Sequence, residues 1–287
     1  MKNLVWMNGE FVPADRACVA LLDRGYLYGE GLFETMRSYG GRIFALERHL
    51  GRLLSSAAEF GLDIGVGEEE LAESLARTLQ ANDLSDAYLR LTVSQQCDAP
   101  GIESRAAGRF TISIIARPLT ASHRGDANGV SAIVLAAGTA PPVSLARHKT
   151  LSFLAYVRAR AAARVGAADD ALLANAVGEI TEASTANVFF AMRGRLVTPA
   201  IECGLLPGVT RAVVLELARA AGIDTAEEAV RPTEFPACEE CFLTNSLVEL
   251  QPVTRINGRP VGDETPGPVW SALAASYRRL AACASET

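Results

Sequence analysis

The chain has 287 residues, enough for one large domain or two of medium size. Its composition, 49% hydrophobic and 21% charged, is that of a globular protein with a sizeable core. A formal net charge of −6 argues against a general nucleic-acid or membrane surface, where a basic face is expected.

The first residues, Met1 to Gly9, carry no long apolar segment of the secretory-signal kind, and no uninterrupted apolar stretch is long enough to span a bilayer. A cytoplasmic enzyme is therefore expected. Of six cysteines only Cys238 and Cys241 form a C-x-x-C, and His49, His123 and His148 offer no histidine pair beside it. Reduced thiols are expected rather than a metal site.

In chain order, Leu4–Met7 and Glu10–Val12 flank Asn8-Gly9 and read as a hairpin. A second hairpin joins Leu32–Ser38 to Arg42–Phe44 through Gly40-Gly41. Leu46, Leu50, Leu53, Leu54, Ala57 and Phe60 recur at helical spacing up to Gly61, and residues 68–80 form another amphipathic helix. Residues 87–94 and 110–116 are predicted strands joined by a polar loop. Residues 118–128 hold Pro118, Ser122, Gly125, Asp126 and Asn128 without an apolar period, and mark an interdomain linker.

Beyond it come a strand at 130–136, a helix at 151–165, and short strands at 171–174, 179–181, 188–192 and 196–198. A helix at 208–221, strands at 242–245 and 252–256 and a closing helix at 268–282 complete the chain. Strands and helices do not strictly alternate, which favours an α+β fold. The expected domains are 1–120, small and α/β, and 121–287, larger and β-rich.

Three residue groups carry the chemistry. Lys149, in Arg147-His148-Lys149-Thr150-Leu151, has an amine that can form a Schiff base with an aldehyde cofactor once it is neutral. Taken alone, a lysine is most often a solvated surface residue. Glu182, in Thr181-Glu182-Ala183-Ser184-Thr185-Ala186-Asn187, is a carboxylate able to keep a pyridine nitrogen protonated. Leu206-Pro207-Gly208-Val209-Thr210-Arg211 opens a helix whose backbone N–H groups and dipole suit a phosphate dianion. Together they are the handles needed to grip pyridoxal phosphate.

With Asp23-Arg24-Gly25, Gly29-Glu30-Gly31-Leu32-Phe33-Glu34-Thr35 and His49-Leu50-Gly51-Arg52-Leu53, these motifs make the chain resemble the fold-type IV pyridoxal-phosphate enzymes. That family includes branched-chain and D-amino-acid aminotransferases, R-selective amine transaminases and aminodeoxychorismate lyases. The resemblance runs from about Trp6 to Trp270, and its specificity lies in the order and spacing of the motifs.

The resemblance implies Lys149 as the Schiff-base residue and Glu182 as partner of the ring nitrogen. It implies Val209, Thr210 and Arg52 on the phosphate, with Ser246 in a second phosphate turn, Leu206 beside the ring, and Ser184 and Thr185 on the ring oxygen or phosphate. His49 is expected to pack or orient. Phe33, Glu34, Thr35 and Arg37 line the substrate side by analogy, and Phe33, Thr35 and Arg37 share one face of a strand. Branched-chain enzymes carry glycine where Thr35 stands, and the lyases carry threonine.

Two departures qualify the match. Ser152 stands where the family often has asparagine, and Val93–Gly101 lacks the arginine-bearing stretch of the lyases and the arginine and histidine of the D-amino-acid enzymes. Arg37, Arg90 and Arg105 are the candidates for a substrate carboxylate. The expectation is a pyridoxal-phosphate-dependent aminotransferase acting on amino acids and 2-oxo acids, a homodimer by family resemblance. The alternatives are an aminodeoxychorismate lyase and a non-catalytic anion-binding protein on the same fold.

Overall fold

The computed structural model describes residues 2–62, 64–103, 109–120, 123 and 125–286. The chain divides into two compact units. One comprises Met1–His123, Lys149–Phe153 and Ala281–Thr287; the other comprises Arg124–His148 and Leu154–Leu280. The division expected at 120/121 differs for Lys149–Phe153. That segment is tied to the first unit by a single bridge between Thr150 and Leu32, with Phe33 N donating to Lys149 O and Leu151 N donating to Gly31 O, each at 2.9 Å.

The first unit is built on a six-stranded sheet of β1 (Leu4–Met7), β2 (Glu10–Pro13), β3 (Gly31–Tyr39), β4 (Arg42–Ile43), β5 (Ala87–Gln95) and β6 (Phe110–Pro118). Its order is β2-β1-β6-β5-β3-β4, antiparallel throughout. Asn8 and Gly9 both take positive φ, the requirement of the tight hairpin that their sequence announces. Alternation along β3 sends Leu32, Glu34, Met36 and Ser38 to one face and Phe33, Thr35 and Arg37 to the other. Two helices, α2 (Leu46–Glu59) and α3 (Glu68–Ala81), bury Leu50, Leu53, Leu71, Leu75 and Leu79 against Leu32, Met36, Leu89, Leu91 and Ile114.

A short helix ahead of β3, α1 (Arg24–Tyr28), accounts for the Asp23-Arg24-Gly25 motif. The buried Asp23 carboxylate caps α1 by accepting from Gly25 N at 2.8 Å. Its other oxygen accepts from Ser94 Oγ and Thr111 Oγ1, both at 2.8 Å. The charge is stabilised by donors from three elements at once.

The second unit carries a nine-stranded sheet: β7 (Val130–Ala137), β8 (Asp170–Ala174), β9 (Ile180–Ala183), β10 (Asn187–Met192), β11 (Arg195–Thr198), β12 (Thr225–Glu227), β13 (Cys238–Asn245), β14 (Glu249–Ile256) and β15 (Arg259–Pro260). The order is β12-β11-β10-β13-β14-β7-β8-β9, with β15 on β14. All six residues of β10 are buried, as befits a central strand, and Phe189 stacks on Phe242 of β13 at 5.1 Å. A bridge from Ile180 to Val230 brings the β9 end of the sheet to the chain just past β12, so the sheet curls back on itself.

Four helices accompany it: α4 (Val143–Ala146), α5 (Leu154–Val165), α6 (Val209–Ala220) and α7 (Pro268–Glu286). The helix read from residue 151 starts at Leu154 instead, because Lys149–Phe153 is held by the bridge of Thr150 to Leu32. In the proposed linker, Gln251 clasps Asp126, accepting from its N–H at 2.6 Å and donating to its carbonyl at 2.7 Å. Ser122 lies outside the described residues.

Candidate active site

Lys149 is one of only two lysines in the chain, which removes the reading of it as one surface lysine among many. The other, Lys2, sits in an exposed pair with Asp83 at 3.4 Å. Lys149 is half-buried, and its Nζ lies 4.5 Å from the centroid of the Phe33 ring. The backbone bonds to β3 fix it there. Arg90 on β5 places its guanidinium carbon 3.8 Å from the same centroid, and Phe153 meets Phe33 edge-on at 5.4 Å. Burial lowers the pKa of Arg90.

Strand register sets Arg90 opposite Thr35 and Tyr88 opposite Arg37, so Phe33, Thr35, Arg37, Tyr88 and Arg90 share one sheet face. Arg37 stacks over Tyr39 at 4.5 Å. Arg105 lies outside the described residues.

Glu34, which the resemblance put on the substrate side with Phe33, Thr35 and Arg37, alternates to the opposite face, where it sits in an ion cluster. Glu34 is fully buried. Arg52 grips it through two donors, Nε to Oε1 at 2.8 Å and Nη2 to Oε2 at 2.6 Å, and His49 Nδ1 is 2.8 Å from Oε2. Burial pushes the Glu34 carboxyl up. The Arg52 charge and the bonds from His49 and Arg52 outweigh burial and bring it down to about 2. Burial, with the Arg52 charge, holds His49 below the usual imidazole range despite Glu34. Neutral His49 therefore donates from Nδ1 to Glu34. The fork expected on a phosphate is thus turned toward Glu34 along one edge. Spacing could have found this cluster, since His49 and Arg52 are three apart on α2.

Glu182 belongs to the second unit. It is buried at the end of β9, and its Oε1 accepts from Tyr156 Oη at 2.8 Å. Its Oε2 accepts from Leu206 N at 3.2 Å, with Asn187 Nδ2 at 3.5 Å. Asn187 also donates to Leu206 O at 2.8 Å, so the Leu206 backbone is held by both neighbours. Tyr156 carried no signal beyond a place on an amphipathic helix. Burial, then the Glu182 charge, push its hydroxyl far above the usual phenol range, so it remains a donor.

Ser184 is committed elsewhere. Its hydroxyl donates to Asp170 Oδ1 at 2.5 Å, and Asp170 pairs with Arg160 at 2.7 Å. Thr185 is exposed, and its carbonyl accepts from Asn245 Nδ2 at 3.2 Å. The Asn245 side-chain oxygen accepts from Leu247 N and Val248 N, each at 2.9 Å. Asn245 thus ties the Thr185 segment to the turn that carries Ser246.

Val209 and Thr210 are buried at the start of α6, where Gly208 is the N-cap and no side chain caps the helix. Glycine is required at 208 because a Cβ there would collide with Asn187 Oδ1. An uncapped helix start leaves its first N–H groups for an external anion. Thr244 Oγ1 is also buried without a hydrogen-bond partner among the described residues. In the second unit a buried carboxylate and an uncapped helix start fit the ring nitrogen and the phosphate of pyridoxal phosphate, and in the first a half-buried amine fits its aldehyde.

The sequence matches the class IV amino-transferase family over residues 31–256. The chain belongs to this family. The class IV aminotransferases to which it is similar include the D-alanine aminotransferase of Bacillus licheniformis, 33% identical over 92% of each chain. The branched-chain-amino-acid aminotransferase of Pseudomonas aeruginosa is 29% identical, over 96% of this chain and 92% of that one. Among solved structures, the branched-chain aminotransferase of Thermoproteus uzoniensis with norvaline superposes with a TM-score of 0.90. It is 30% identical, covering 97% of this chain and 94% of the other.

The protein is an enzyme that moves an amino group between an amino acid and a 2-oxo acid, with pyridoxal phosphate as cofactor. Its fold is the α+β fold of type IV.

Proposed function

We propose that this class IV aminotransferase acts on amino acids with small or branched apolar side chains. The observation that carries this reading is the Phe33 ring with Lys149 Nζ at 4.5 Å and the Arg90 guanidinium at 3.8 Å. It sets an amine and a carboxylate receptor around one apolar surface. Arg90 and Arg37 are the groups on this face that can take a carboxylate, Arg90 by a bidentate fork. Relatives named for branched-chain amino acids and D-alanine support the substrate class.

Lys149 is the covalent attachment point and moves the proton to and from the substrate's α-carbon. Glu182 keeps the ring nitrogen protonated. Val209, Thr210 and Ser246 hold the phosphate, and Arg52, set in plane by Glu34 and His49, adds a guanidinium. Leu206 packs beside the ring, and Thr185 lies with the Ser246 turn. Ser184 acts through Asp170 rather than on the cofactor. When bound, pyridoxal phosphate supplies an electron-withdrawing ring and carries the amino group between the two half-reactions. The enzyme works as a cytoplasmic homodimer.

Thr35 favours a second reading, an aminodeoxychorismate lyase. A panel of L- and D-amino acids with pyruvate and 2-oxoglutarate, run beside an aminodeoxychorismate assay, separates the two. Transamination of apolar amino acids is expected. Turnover of aminodeoxychorismate alone would replace the first reading by the second.

A further inference from the structure

Helix α5 offers two side chains, one turn apart, to the sheet, one to Asp170 at the start of β8 and one to Glu182 near the end of β9. Tyr156 and Arg160 stand at i and i+4 and so share a face. On that side Ala159 and Ala163 are buried, packing with Ala171 and Leu173 of β8, and this fixes the rotation of the helix. Arg160 reaches Asp170, which in turn takes the Ser184 hydroxyl. Tyr156 reaches Glu182, two residues before Ser184 on the same strand face. The carboxylate that matters most to the cofactor is thus held from a rigid helix by a neutral donor.

We propose that Tyr156 is a positioning residue for the reaction: its hydroxyl holds the Glu182 carboxylate ionised and in one orientation, and so keeps the cofactor's ring nitrogen protonated. This rests on the reading of Glu182 as the partner of that nitrogen. Glu182 is buried, and a buried carboxylate keeps its charge only where donors stabilise it. Leu206 N supplies one donor to Oε2, and Tyr156 supplies the donor to Oε1. A carboxylate has about four acceptor directions, so a donor that fixes its plane does not by itself close it to a further partner. Without the Tyr156 hydroxyl, a proton shared between Glu182 and the ring nitrogen moves toward Glu182.

The test uses pyridoxal phosphate labelled with nitrogen-15 in its ring. It is bound to the wild-type enzyme, to Tyr156→Phe, to Glu182→Gln and to the double variant. The quantity read is the ratio of protonated to neutral ring nitrogen at one fixed pH, taken from its chemical shift. A hydrogen bond to a charged group is worth about tenfold or more in such an equilibrium. The ratio in Tyr156→Phe is therefore expected to fall about tenfold, as the shared proton passes to Glu182. Glu182→Gln should lower it further, and the double variant should match Glu182→Gln alone.

A wild-type ratio in Tyr156→Phe, with Glu182→Gln lowered, overturns the proposal and leaves the role of Glu182 standing. So does a Tyr156→Phe effect that persists in the Glu182→Gln background. A wild-type ratio in Glu182→Gln overturns both. Should Tyr156→Phe not bind the cofactor, 3-fluorotyrosine at position 156 keeps the ring and strengthens the donor. The ratio is then expected to rise, and an unmoved ratio overturns the proposal.

Discussion

Arg52 has a structural role whatever it does for a cofactor. Its two donors to Glu34 neutralise a carboxylate sealed in the core of the first unit. Removing one partner of a buried pair costs about 3–5 kcal/mol, because the other charge is left uncompensated. Arg52→Ala should lower stability by that amount in chemical denaturation. Arg48→Ala, one turn earlier and exposed, should stay within about 0.5 kcal/mol. Equal effects would mean that the Arg52–Glu34 fork contributes nothing to stability.

The same cluster sets an acid limit on stability. His49 titrates below 6.5 in the folded protein, mainly because it is buried, so the unfolded chain takes up a proton that the folded one refuses. Its contribution is full above pH 6.5 and declines as the pH falls. Glu34 extends the loss. Burial raises its pKa, but Arg52 and His49 more than offset this and leave it at about 2, against 4.5 when unfolded. Its contribution is present above about pH 4.5 and disappears as the pH falls toward 2. Urea midpoints at pH 7.5, 5.5 and 4 should fall in that order, and His49→Asn should flatten the step between 7.5 and 5.5. Midpoints that rise or hold across this range would contradict the assignment.

At the scale of elements, the start of α6 is the most constrained point. Gly208 has ordinary backbone angles, φ −67 and ψ 136, so nothing in its conformation demands glycine. The demand comes from Asn187, which is buried and pinned to Leu206 O. Gly208→Ala should displace Asn187 and release the Leu206 backbone that bonds Glu182, at a cost of about 1–3 kcal/mol and with weaker cofactor binding. Gly51 on α2 is the control. A Cβ there meets nothing, and Gly51→Ala should stabilise by about 0.5–1 kcal/mol through helix propensity. A calorimetric scan of both variants would contradict this if Gly208→Ala matched or exceeded the wild-type melting temperature.

Elements were legible in the sequence where the signal was local. The Asn8-Gly9 hairpin and the amphipathic period of α2 and α3 depend on neighbours a few residues away, and the structure reproduces them. The start of α5 was read three residues early. Leu151, Phe153 and Leu154 look helical in isolation, and what keeps 149–153 out of the helix is the bridge of Thr150 to Leu32, more than a hundred residues upstream. Tyr156 and Asp170 escaped for the same reason, since each acquires its role from a partner on another element, and Glu34 was expected on the substrate side because the resemblance did not show which face it takes.

For the molecule as a whole, the family was written in motifs, because those motifs serve one cofactor's chemistry and keep their order whatever the loops between them do. The order Lys149, Glu182, Gly208-Val209-Thr210 carried the fold, the cofactor and the reaction class. No helix among the described residues is long and apolar enough to cross a membrane. Cys238 and Cys241 are both free and buried on β13, and burial pushes the Cys238 thiol up to about 12. Neither is poised as a nucleophile. The proposed catalytic role falls on the scarcest basic residue of the chain. With only Lys2 and Lys149 available, reduction of the cofactor-loaded enzyme with borohydride, followed by peptide mass mapping, is decisive. A single phosphopyridoxyl group on the peptide that carries Lys149 is the expected result, and a label confined to Lys2 or the amino terminus would contradict the account.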